Sequence, residues 1–377
     1  MSKQKSSARF RFTGAVLLLA ALLFLVPALR NGNRTLYLLA IVIPCAMFLC
    51  GTVLARMFSI DRMLLTLSLW LCAVGIAAVA LSDPEAALAQ ALRCGAGLAA
   101  LLAGAVMIRS VAPSLLTSVC SAFIGLLLLA GKLLAPTFTL PLAQVAEALL
   151  LFSFASLFAR QGPISAAAVG AAALALLLFR GETTEALLWG VTILLLLFAA
   201  DGRLMIVLPA LAITALLFFG AFMLVPASTS AQAPDTLPAL VSAGALGADV
   251  LPEALASAGS VSLFPRVAGH YGLLFAGLTV LLFLPLSLRG ASVAVYARTR
   301  FHAVLAMGAS LLLALRTLTA VLSAFGLLPV SGTEIPLLTS SLPALCAQLF
   351  LIGMAAGISG RNDADLAEDA HLAMLAK

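Results

Sequence analysis

Long apolar runs separated by short polar breaks set the pattern of this chain. Runs of roughly the ~17–25 residues that cross a bilayer as helix occur at about 12–29, 36–58, 63–81, 92–108, 115–135, 142–159, 164–179, 186–200, 204–225, 262–288, 301–327 and 336–358. Hydrocarbon offers no partner to open backbone groups, so such runs are expected to be helices. The pattern predicts an all-α polytopic membrane protein with about twelve transmembrane helices. The seventh and eighth runs are short, as expected of tilted partners or of a broken pair. Between 226 and 261 lies the longest polar stretch, rich in Ala, Ser, Gly and Pro. A loop of that length in a compact membrane protein is usually functional or unstructured.

Composition agrees: 63% of residues are hydrophobic and 10% charged, which excludes a soluble globule. Charge then sets orientation. With the N-terminus inside, cytoplasmic segments hold fourteen of the 21 Lys and Arg and outer loops hold six, with Arg316 inside a span. Cytoplasmic loops carry the excess of basic residues, so both termini are expected in the cytoplasm. Without the two tails the margin is eight against six, so the basic N-terminal tail supplies most of the signal. The net charge of +6 reads as orientation and contact with anionic lipid rather than nucleic-acid binding. Lys3–Arg11 followed by Phe12–Val26 has the form of a signal peptide, yet Val26-Pro27-Ala28-Leu29-Arg30 is a poor cleavage site, and an uncleaved helix is expected. The six cysteines sit in or beside apolar spans without a C-x-x-C and read as small apolar fillers. No metal or cofactor is expected.

Gly326–Pro336, reading GLLPVSGTEIP, breaks the apolar pattern with two glycines and two prolines and encodes a rigid turn at the membrane surface. This run resembles the signature turn of the SEDS family (shape, elongation, division and sporulation proteins; FtsW, RodA and SpoVE), usually written GLLPvtGvpLPFiSyGGSS. Gly326, Pro329, Gly332 and Pro336 keep the pattern; Thr339, Ser340, Ser341 and Leu342 replace its Ser-Tyr-Gly-Gly. The resemblance begins at Asp61 and runs to about Gly357. It divides the chain into a basic tail with two additional helices (1–60), a SEDS-like core (61–358) with the outer loop 226–261, and a cytoplasmic tail (359–377). Asp61-Arg62 also suggests the D-R motif of major facilitator transporters, but the glycines of that motif are missing. Further points of resemblance are Gln144 and Glu147, matching a Q-P-S-E motif and sharing one helix face, and RGETTEAL, with Glu182 and Glu185 where the family has D-L-G-T-A-L.

What the resemblance implies is a glycosyltransferase polymerising an undecaprenyl-linked peptidoglycan precursor at the outer face of the bacterial inner membrane, with a class B penicillin-binding partner. Two alternatives are a catalytically silent relative that binds the precursor or scaffolds the partner, and a lipid or small-molecule transporter. The family's catalytic aspartate lies in the outer loop. Aligning from Gly272 to the cytoplasmic Arg289-Gly290 puts Val261 at that position; aligning on Pro265 puts His270 there. Valine cannot take a proton from the attacking sugar hydroxyl, so catalysis is expected to be impaired or altered. The substitutes expected near the loop are Glu253, Asp249 and His270. Gln144, Glu147, Glu182, Arg266, Arg316, Pro329, Gly332 and Pro336 form the expected substrate-contacting set. A charge at the depth of Arg316 usually faces the bundle interior with a partner; Glu147 is the first candidate and Glu185 the second.

Overall fold

The structure, a computed structural model, describes residues 2–31, 34–111, 113–134, 142–224, 241, 244–247, 262–325 and 334–375. Each of the twelve apolar runs contains a helix. In chain order these are α1 (Ser2–Asn31), α2 (Arg34–Met57, with a π-turn at Cys50–Leu54), α3 (Arg62–Ser82), α4 (Ala86–Ser110), α5 (Leu115–Leu134) and α6 (Ala143–Gln161). There follow α7 (Pro163–Phe179), α8 (Thr183–Asp201), α9 (Leu204–Leu224), α10 (Phe264–Leu281), α11 (Phe283–Val295), α12 (Arg300–Ala324) and α13 (Leu342–Leu375). Counting α10 and α11 as one span, eight described helices are long and apolar enough to cross a membrane and four shorter ones are apolar over 10–17 residues.

Local chemistry explains several ends. Asp61 caps α3 by accepting from the backbone N–H of Met63 (2.8 Å) and Leu64 (3.2 Å). Gly162, at φ +95°, lets α6 turn directly into Pro163 at the start of α7. Gly181, at φ 74°, closes the turn from α7 into α8, so the short seventh and eighth runs are a tight hairpin of two continuous helices. The broken helix is α10, interrupted at Gly272 (φ 87°, ψ 165°). There the outer-loop residues Gly244 and Ala245 accept from Leu273 N (3.1 Å) and Leu274 N (3.3 Å), satisfying the donors that the break frees. A side chain at Gly272 would run into Ala245 and Gly247.

One boundary needs correction at the C-terminal end: the last span begins at Leu342 rather than 336, because 334–341 is irregular, and its helix continues to Leu375.

α13 and α3 form the centre; α13 packs against α3, α4, α6, α11 and α12. Its Leu345, Leu349 and Ile352 join one buried cluster with α1–α4 and α10, while Leu351, Met354 and Ile358 join a second with α6–α8 and α12. The additional pair α1 and α2 pack on each other and on α3, leaving most of α2 exposed. Cys50, Cys72 and Cys94 line an apolar cavity of about 290 Å³ between α2, α3 and α4. At the end that carries both termini, Arg289 donates to the Asp61 carboxylate (2.8 and 2.5 Å), which ties α11 to the cap of α3. That contact gives Asp61 a structural role in place of a transporter motif. The opposite end is called outer below.

Candidate functional site

Three helices meet in the outer half around Arg316. It lies sixteen residues into α12, about 24 Å along the axis. Its Nη1 and Nη2 donate to the two oxygens of Glu185, both at 2.9 Å, and Nη2 also donates to Glu147 Oε2 at 2.6 Å. The Arg316 side chain is 7% exposed, that of Glu147 2% and that of Glu185 23%. Planar fork-to-fork pairing of this kind is the strong form of the guanidinium–carboxylate contact. Both expected partners are present together. Two carboxylates for one guanidinium leave an excess of negative charge, and Glu147 Oε1 is buried with no partner among the described residues. Glu182 pairs with Arg180 at 2.7 Å rather than with Arg316, and Arg180 also donates to the Leu129 carbonyl at 3.2 Å.

Beside the cluster the chain re-enters the bundle at 334–341. Pro336 is buried there, and Leu337 adopts φ +65°, a left-handed conformation unusual for leucine. Irregular backbone at membrane depth survives only where protein satisfies it, and here two glutamines help to do so. Gln348 Oε1 accepts from Leu337 N (2.7 Å) and its Nε2 donates to Gln144 Oε1 (2.8 Å). Gln90 Nε2 donates to the Thr339 carbonyl (3.0 Å). Gln144 and Glu147 share a face as expected but divide their work, Gln144 toward α13 and Glu147 toward α12.

The same segment forms an antiparallel bridge, Ser262 with Thr339, and Leu263 N donates to Leu338 O at 2.9 Å. Depth follows from α3. Leu263, Leu337 and Leu338 surround Gly75, whereas His270 Nε2 reaches Ser82 Oγ at 3.0 Å. Seven residues of α3, ~10 Å, separate those levels. The first half of α10 therefore rises from inside the bundle to its outer end, turns at Gly272 and descends. Arg266 and His270 lie one turn apart on that rising half, and the buried Arg266 Nε has no partner among the described residues.

Glu253, Asp249, Pro329 and Gly332 lie outside the described residues. A residue not foreseen as titratable in the site is Glu334. Burial pushes its carboxyl above the usual carboxylate range, against the opposing pull of the Thr339 hydroxyl bonded to it and of Arg316. Its signal in the sequence was a charge inside the signature turn, at a position where the family motif has proline.

Comparison with known proteins adds three findings. Residues 252–363 match the family model described as cell cycle protein, FtsW/RodA/SpoVE. No curated protein matches the sequence. Among solved structures, a chain from a peptidoglycan synthase complex described as coordinating polymerization and crosslinking superposes with TM-score 0.63 at 20% identity, over 80% of this chain and 98% of that one. The rod shape-determining protein RodA of Thermus thermophilus gives 0.57 at 19% identity over 80% and 96%, and its Asp-to-Ala variant 0.59 at 18% over 80% and 97%. At those identities the likeness establishes the fold.

Proposed function

Because residues 252–363 carry the FtsW/RodA/SpoVE family's sequence on a RodA-like fold, we propose that this protein is a peptidoglycan glycosyltransferase of the bacterial inner membrane. It polymerises the undecaprenyl-linked disaccharide precursor, lipid II, at the outer face, with a class B penicillin-binding protein as partner. The observation that carries the reading is the polar interior of the outer half: Arg316 with its two carboxylates, adjoining a re-entrant segment held by Gln90, Gln144 and Gln348. An apolar bundle bears the cost of burying such groups where function needs them.

Glycosyl transfer from a lipid diphosphate needs a cation for the leaving group and a base for the attacking hydroxyl. Arg316 is already neutralised by Glu147 and Glu185, and Arg180 is paired with Glu182. Arg266, whose buried Nε lacks a partner among the described residues, is the residue we assign to the diphosphate. The rigid Arg316 group and the glutamines shape the sugar site. A second reading, a silent relative that binds precursor or scaffolds the partner, is favoured by valine at 261 where resemblance puts the catalytic aspartate.

The test is polymerisation of fluorescent lipid II by the purified full-length chain, alone and with a class B penicillin-binding protein. Glycan strands are expected, and Arg266→Ala should slow their formation. Precursor binding without any strand formation would select the silent reading; neither binding nor strands would end both.

A further inference from the structure

We propose that Glu334 is the general base of this site, taking the proton from the acceptor sugar's hydroxyl. The inference rests on the glycosyltransferase reading above and names a residue that the sequence motifs leave without a role. Its first support is placement. Glu334 opens the re-entrant segment and its carboxyl bonds the Thr339 hydroxyl; Thr339 pairs with Ser262, and the Leu263 N–H bonds the Leu338 carbonyl beside it. Arg266 lies three residues beyond Leu263, about one helical turn. Glu334 and Arg266 thus belong to the two segments that this short bridge joins, Glu334 five residues before Thr339 and Arg266 four after Ser262. Resemblance puts the family's aspartate at residue 261, the chain neighbour of Ser262. That residue is valine here, and Glu334 belongs to the segment that bridges Ser262.

Elimination is the second support. Among the described carboxylates of the outer half, Glu147 and Glu185 are held by Arg316 and Glu182 by Arg180. Asp83 caps α4 by accepting from Glu85 N and Ala86 N, and Glu85 itself is exposed. Glu334 makes no ion pair of that kind, and its Oε2 is buried without a hydrogen-bond partner among the described residues. Arg316 acts on this carboxyl electrostatically without a salt bridge to it, opposing the larger effect of burial. Burial raises its basicity, which suits a base working near neutral pH.

The step balances as follows. One Glu334 oxygen accepts the proton of the acceptor's 4-hydroxyl as that oxygen's electron pair forms the new bond to the donor's anomeric carbon. The bond from that carbon to the diphosphate breaks, and its electron pair leaves with the undecaprenyl diphosphate, beside Arg266. The proton held on Glu334 passes to water before the next turn.

The experiment measures strand formation from fluorescent lipid II by the full-length chain with its class B partner, for wild type, Glu334→Gln and Glu334→Asp. A positioned base is worth ~10²–10⁴-fold. Glu334→Gln is expected to lose that much in kcat, with KM little changed and the acidic limb of the pH–rate profile gone; Glu334→Asp should keep part of the rate. A purely structural role would instead lower the melting temperature and leave the pH limb in place. Should Glu334→Gln fail to fold, Glu334→Asp decides: a folded variant with a lowered rate and a displaced acidic limb supports the inference, and an unchanged rate overturns it. If wild type polymerises and Glu334→Gln does so equally, this inference alone falls. If wild type forms no strands, the glycosyltransferase reading falls and takes this one with it.

Discussion

At the scale of single residues, Arg316 decides most. Its guanidinium is bonded to Glu185 through both arms and to Glu147 through one, with Arg316 and Glu147 themselves buried in the bundle. Removing it leaves two carboxylates facing each other in the apolar bundle, and removing Glu147 leaves Arg316 with Glu185 alone. Breaking a buried pair typically costs ~3–5 kcal/mol. Arg316→Ala is therefore expected to lower the thermal midpoint in detergent more than Glu147→Ala does, because the first strands two charges and the second none. Equal midpoints for wild type and Arg316→Ala would show that the cluster contributes nothing to stability. The sequence made this group legible: an arginine deep in a span demands a partner, and Glu147 and Glu185 were the acids at the matching depth. Glu334 was less legible, since nothing local says that a turn residue folds inward.

Among elements, the α4–α13 contact is the closest in the bundle. A Cβ on Gly353 would run into the Leu101 carbonyl, one on Gly104 would lie 2.5 Å from Phe350 O, and one on Gly357 2.7 Å from Ala105 O. Without a solvent-driven force between helices in lipid, such backbone-to-backbone approach is a main source of association. Gly353 and Gly357 form a G-x-x-x-G pair in an apolar run, a signal that was open to reading in the sequence. Gly353→Val should separate the helices and destabilise by about 1–3 kcal/mol, the usual cost of overpacking, whereas Gly131→Val, at a glycine with open space around its Cβ position, should be nearly silent. The comparison is made by thermal unfolding in one detergent. A Gly353→Val protein as stable as the Gly131→Val protein would mean that the two helices separate at no cost.

For the whole molecule, α13 is the wall between two buried clusters, and the re-entrant 334–341 segment packs into the first of them through Ile335, Leu337 and Leu338. The bonds from Gln90 and Ser262 reach that segment from one side, and that from Gln348, itself held by Gln144, from the other. The contacts of Asp61 with Arg289, and of Arg109 with the Ser59 carbonyl at 3.2 Å, close the opposite end. The basic residues gather at that end, so it should face the cytoplasm. Reporter fusions after Lys377 and within 226–240 should accordingly report cytoplasmic and external locations. The reverse pair of results would place the polar cluster on the wrong side for a lipid-linked precursor outside the cell membrane.

From the sequence alone, this protein was determined to be a bundle of apolar helices carrying a signature turn, because the bilayer allows few other structures for such runs. Pairing of Arg316 followed from the same scarcity of options. Tertiary structure alone decided that 334–341 folds inward, that α10 breaks at Gly272 where Gly244 and Ala245 meet it, and that Glu334 hangs beside Thr339. The physical reason is distance along the chain. Hydropathy and depth are properties of each run by itself, whereas a buried irregular segment exists only because Gln90, Gln348 and Ser262, remote in sequence, supply its hydrogen bonds.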